Sequence, residues 1–175
     1  AGDRLLEDCR VSRHPPQPIL GDQPRQLSRS DQIAGDEVIP GTLAELAEAA
    51  AQVRRSPNMT DQISALNILV LSGDRMREKA LAQFYAHWRD DELVINKWFA
   101  VQAGARLPGT LSRVRELMKH PDFSLKNPNR VRAVVGTFCQ GNLKHFHAAD
   151  GYGYAFCADQ IIALDPLNPQ VAARL

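Results

Sequence analysis

From Thr42 onward, apolar residues recur three and four positions apart, and Asn, Asp, Gly and Pro interrupt that pattern at short intervals. This spacing puts side chains on one face of an α-helix, whereas a half-buried strand would need alternation. The interruptions also carry direction, because Asn, Asp and Thr cap helix starts and Pro fits the first turn. Thr42 and Glu45 have the spacing of a capping box, with Leu43, Leu46, Ala47 and Ala50 following on one face. Asn58 or Thr60 starts a second helix, whose stripe reads Ile63, Leu66, Leu69 and Val70. Asp74 starts a third, along which Met76, Ala80, Phe84 and Trp88 step by four. Asp90, Asp91 and Glu92 put negative charge at the start of a fourth, with Val94, Trp98 and Val101 as its apolar face. Leu111, Val114, Leu117 and Met118 mark a fifth. Asn127-Pro128 opens a helix carrying Val131, Val134, Val135 and Phe138. Asp150-Gly151 feeds another, with Tyr154, Cys157, Ile161 and Leu164 on one face, and Asn168-Pro169 repeats the Asn-Pro start.

The pattern predicts an all-α chain. Short connections favour antiparallel neighbours, so antiparallel helix pairs stacked as a superhelical solenoid fit it, and so does a compact helical bundle. No fixed-length sequence repeat decides between them. Residues 1–43 are different. Pro15, Pro16, Pro18, Pro24 and Pro40 stand among Arg, Gln and Asp, with too little apolar surface to offset chain entropy. They read as an irregular or poorly ordered leader, and residues 44–175 as the helical part.

Composition narrows the partners. A net charge of +1 gives no general attraction to nucleic acid or to an anionic membrane. No apolar run approaches the ~20 residues of a transmembrane helix. No basic-then-apolar leader opens the chain, and its three cysteines, Cys9, Cys139 and Cys157, form no paired motif. The reading is reduced thiols in a cytoplasmic protein.

Catalytic apparatus is not evident. HExxH, GxSxG, a P-loop and GxGxxG are all missing, so no catalytic residue is assigned. His145 and His147, with Cys139 and Cys157, are the best metal candidates. Two positions apart on a helix they point about 200° apart, so they read as ordinary polar residues and no metal ligand is assigned. Cys139 with His145, or Cys157 with His147, makes a weaker nucleophilic pair, because nothing evident orients the base. Phe84, Tyr85, Trp88, Trp98 and Phe99 are better explained as core than as a stacking platform. Arg106, Arg113, Arg115, Lys119, Lys126, Arg130 and Arg132 are better explained as a solvated face than as a binding patch.

Five segments resemble a known family. Asn58-Met59-Thr60-Asp61 with Ala65-Leu66, Val94-Ile95-Asn96-Lys97-Trp98-Phe99 with Gln102, and Asn127-Pro128-Asn129-Arg130-Val131-Arg132 come first. Phe146-His147 with Asp150-Gly151, Gly153 and Tyr154, then Asn168-Pro169-Gln170-Val171-Ala172-Ala173-Arg174-Leu175, follow in order. In order and spacing these are similar to the C-terminal helical domain of bacterial aminopeptidase N, of the zinc-dependent gluzincin aminopeptidases. The resemblance implies a non-catalytic domain that supports the catalytic domain and encloses the substrate cavity of an enzyme removing N-terminal residues from peptides. It implies zinc in that other domain and none here. It also implies family helices beyond Leu175, so a fragment of the domain is expected, with an apolar face uncovered. An independent helical-repeat scaffold for protein binding is the alternative.

The resemblance implies that Arg132 and Arg174 face the cavity, where a guanidinium suits a peptide carboxylate. Asn127, Pro128 and Arg130 read as structural, as does Trp98 on its apolar stripe. Lys97, Trp98 and Phe99 are expected to anchor packing. Asp150 and Gly151 read as a tight turn before a helix, with His147 hydrogen-bonding that turn.

Overall fold

The computed structural model describes residues 42–175. The expected leader lies outside them, except that Thr42 and Leu43 already belong to the first helix and its cap. Helices α1 (Leu43–Arg55), α2 (Met59–Ser72), α3 (Met76–Trp88), α4 (Glu92–Ala103) and α5 (Thr110–Leu117) come first. A short α6 (Pro128–Val131) runs directly into a π-helix, Arg132–Gly141. Then come α7 (Leu143–Phe146), α8 (Tyr152–Leu164) and α9 (Pro169–Ala172). The described residues are all-helical and contain no strand.

The starts are set by side-chain caps. Thr42 and Glu45 exchange bonds across the first turn of α1, Thr42 N–H to Glu45 at 2.8 Å and Glu45 N–H to Thr42 at 3.2 Å. These bonds hold the Glu45 carboxyl below its usual range. Asn58, Asp91, Asn127 and Asn168 each accept a main-chain N–H at the start of the helix they precede. Asp74 accepts from Met76 N–H at 2.7 Å, one residue ahead of the position expected for a cap. Each such cap is worth about 1 kcal/mol.

From α1 to α5 each helix packs on the next, α5 packs on the π-helix, and α4 also packs across the π-helix. The core follows the stripes read from the sequence on α2, on α3 and over residues 131–138. Leu66, Leu69, Phe84, Val131, Val134, Val135 and Phe138 are fully buried. Burying each such side chain contributes roughly 1.5–3 kcal/mol. Trp98 is buried against Tyr85, Phe99 and His120, and its indole N–H donates to Leu81 O at 3.0 Å. Phe99 is buried beside it, but Lys97 is exposed and anchors nothing in the core. Lys97 follows Asn96 around the helix toward solvent, and its ammonium reaches only Met59 Sδ, at 3.9 Å.

Three local expectations fail. On α1 the buried face is Leu46, Ala49, Ala50 and Val53, while Leu43, in the first turn, is 79% exposed. On α8, Phe156, Cys157 and Leu164 are buried, but Tyr154 and Ile161 are exposed. That helix is apolar on nearly every side, so its sequence gives little contrast between faces. The third is the π-helix, where spacing alone suggested an ordinary helix.

Candidate functional site

The NPNR segment builds one side of the site. Asn127 accepts from the N–H groups of Asn129 and Arg130, at 3.0 and 3.3 Å, and Pro128 occupies the first helical position. Arg130 then points inward. Its guanidinium donates to Asp122 O at 3.1 Å, to Glu92 O at 2.9 Å and to Asn96 Oδ1, and lies 5.5 Å over the Phe99 ring. A buried guanidinium satisfied by carbonyls and an aromatic face ties α4, the 118–127 loop and α6 together.

Arg132, two positions on, points the other way and is exposed. It begins the π-helix, whose i→i+5 bonding stacks residues four and five apart on one strip. That strip is Arg132, Gly136, Thr137, Gln140 and Gly141, and it forms one wall of an open groove of about 490 Å³. Thr137 Oγ donates to Arg132 O at 3.3 Å, bridging one π turn. Val171, Arg174 and Leu175 form the facing wall. Gln140 spans the two, donating from Nε2 to Arg174 O at 2.7 Å. Two arginines, Arg132 and Arg174, therefore line one groove together with the apolar Val171 and Leu175. Thr137 and Gln140 were missed in the sequence, where neither stands in a recognisable motif.

The other predicted residues lie elsewhere. Asp150 Oδ1 accepts from Tyr152 N–H at 3.0 Å, and Gly151 takes φ 72°, giving a tight turn into α8. His147 does not bond that turn. Its Nδ1 shares a hydrogen bond of 2.6 Å with the Tyr154 hydroxyl, one turn into α8, where the rings also pack. The adjacent Gly153 sits against the main chain of Phe146, where a Cβ would stand 2.8 Å from the carbonyl carbon.

His145, His147, Cys139 and Cys157 do not assemble into one centre. Among the described residues no group of three or more His, Cys, Asp or Glu side chains could hold a metal ion. His145 Nε2 is buried with no hydrogen-bond partner, while His147 is turned to Tyr154. Cys139 and Cys157 are free and buried, and the aromatic residues just before them, Phe138 and Phe156, meet edge-to-face at 5.6 Å. Burial, with the neighbouring Cys157 second, pushes the Cys139 thiol up to about 12. A thiol held protonated at neutral pH is a poor nucleophile. Among the described residues no helix is long and apolar enough to cross a membrane.

Known proteins share this sequence and fold. The chain is 48% identical over 130 residues to aminopeptidase N of Caulobacter vibrioides, which is 74% of this chain and 15% of the relative. It is 38% identical over 124 residues to aminopeptidase N of Escherichia coli, 71% of this chain and 14% of the relative. A crystal structure of Legionella pneumophila aminopeptidase A in complex with aspartic acid superposes with a TM-score of 0.70 at 37% identity. That match covers 74% of this chain and 15% of the solved one. The chain thus spans about 15% of the length of such relatives. Residues 40–175 match the family described as a domain of unknown function (DUF3458_C) with ARM repeats. With the match spanning the described helices, this chain belongs to the DUF3458_C ARM-repeat family.

Proposed function

We propose that residues 44–175 form a non-catalytic part of a zinc metalloaminopeptidase that removes N-terminal residues from peptides. In this reading the helical part supports the catalytic domain and closes one side of the substrate cavity. The groove between the π-helix and α9 faces that cavity, and Arg132 with Arg174 receives the carboxylate on the C-terminal side of a peptide. The observation that carries the reading is that these two arginines, distant in sequence, line one groove. Planar guanidinium donors suit a carboxylate, and π-helical segments recur at functional sites. In this reading the zinc is held by the catalytic domain, outside residues 44–175. The site of action is the cytoplasm, and neither nucleic acid nor membrane is a partner.

The test uses the full-length enzyme. Arg132→Ala and Arg174→Ala should each raise KM for tripeptides while leaving an aminoacyl arylamide, which lacks the carboxylate, nearly unchanged. Equal loss on both substrates would count against the cavity role. Turnover by the purified 175-residue chain, after contaminating peptidases are removed, would sink the non-catalytic assignment.

One observation favours the alternative, a helical-repeat scaffold. Tyr152, Ile162 and Leu167, large apolar side chains on and after α8, are each exposed. Stable capture of a partner other than the enzyme's own catalytic domain would support it.

A further inference from the structure

A second groove, of about 560 Å³, shares Arg132 with the first and opens over α4. Its polar groups are nearly all donors. Arg132 and the exposed Lys97 have no acceptor to offer. Asn96 spends its side-chain oxygen on Arg130, and Asn129 spends its own on Arg132 at 3.0 Å. An arginine can only donate, so in each amide the acceptor is the committed atom and the NH₂ donor is left over. Asp91 is the carboxylate on this wall; its Oδ1 accepts from the N–H groups of Leu93 and Val94, at 3.0 and 3.1 Å, and its charge is outweighed by the two cations Lys97 and Arg132. Behind the wall the buried Arg130 adds positive charge with two carbonyls and an amide, but no acid, as its hydrogen-bond partners. Beside these donors stand Met59 and Leu93, the latter 70% exposed.

We propose that this groove binds a carboxylate adjoining an apolar side chain, with Lys97 and Arg132 receiving the carboxylate and Leu93 with Met59 the apolar group. Two cations and two amides against one capped carboxylate favour an anion, and the apolar shoulder favours an organic acid over a mineral one. A peptide supplies that combination from its C-terminus or from an acidic side chain next to an apolar residue. The inference rests on residues other than Arg174 and Gln140, and does not require the aminopeptidase reading.

The experiment titrates the isotopically labelled chain with four probes and follows its amide resonances. N-acetyl-leucine is compared with N-acetyl-leucinamide, and acetyl-Leu-Glu-amide with acetyl-Leu-Gln-amide. Each acid should bind at least about tenfold more tightly than its neutral partner, as hydrogen bonds to a charged group imply. Shifts should centre on Asn96, Lys97 and Asn129. Whichever acid binds more tightly identifies the source of the carboxylate. Lys97→Gln, at an exposed position, should weaken the acids about threefold to tenfold. Arg174→Ala should leave them unchanged, although it removes binding in the first groove. Equal binding of acid and amide overturns the proposal. So does native affinity in Lys97→Gln, inorganic phosphate binding as tightly as N-acetyl-leucine, or loss of the acids in Arg174→Ala.

Discussion

Gly153 lies flat against the main chain of Phe146, so close that a Cβ there would collide with the carbonyl oxygen and come within 2.8 Å of the α-carbon. Helix α8 docks on α7 through this contact, and the collision is with backbone, which cannot turn aside. Gly153→Ala should therefore destabilise the chain by about 1–3 kcal/mol, as overpacking does. Gly151 is the control. Its φ of 72° makes a side chain costly by roughly 1–2 kcal/mol through strain alone, since nothing stands within 4 Å of a Cβ there. Urea unfolding should show both midpoints lowered at unchanged slope.

Arg130 should be more costly to remove than any exposed arginine. Arg130→Met leaves the carbonyls of Asp122 and Glu92 without their guanidinium donor and the Phe99 ring without its cation. The expected loss is about 2–4 kcal/mol, read as a lowered thermal midpoint. Arg130→Lys should recover little of it, since one ammonium cannot reach three acceptors in a plane. Recovery of native stability by lysine would show that charge alone holds these elements together.

Stability should fall in alkali through Cys139. Its folded thiol is pushed up to about 12 by burial, against about 8.5 for a free thiol. Below the free value both states are protonated and the stabilisation is complete. As pH rises toward the folded value, the unfolded chain releases a proton that the folded one keeps, so the unfolded state is favoured. Urea midpoints at pH 8 and pH 10 should differ, and Cys139→Ala should remove most of that difference. Iodoacetamide at pH 8 should leave Cys139 unmodified until the chain is unfolded.

Gly136→Ala separates folding from the groove. A Cβ there meets its nearest atoms at 3.9 Å, so alanine fits and should be neutral or stabilise by about 0.4–1 kcal/mol. The added methyl stands on the groove strip between Arg132 and Gln140. Peptide binding in that groove should weaken while the thermal midpoint holds or rises.

Helix starts were legible because a cap is a local event. Thr42, Asn58, Asp91, Asn127 and Asn168 each act within three residues of themselves, and the sequence contains the whole interaction. The face of α2 was legible, with Leu66, Leu69 and Val70 buried as their spacing implies, while α8, apolar on nearly every side, hid which of its residues turn inward. The π-helix was not legible. Val131, Val134, Val135 and Phe138 are spaced as an ordinary helix would space them, and the wider ladder shows only in where the remaining residues point. Arg132 and Arg174 came from motifs, but their shared groove depends on chain closure between distant segments. Gln140, which spans it, and Asn96, whose oxygen is claimed by Arg130, depend on partners more than thirty residues away.

One consequence of the π-helix concerns how such a chain can change over generations. In the segment 131–141 a single register serves two faces, with Val134, Val135 and Phe138 toward the core and Arg132, Thr137 and Gln140 toward the groove. An inserted or deleted residue would rotate everything beyond it by roughly a quarter turn, moving core and groove side chains out of place together. Within the π-helix, drift in residue type should be far better tolerated than drift in length.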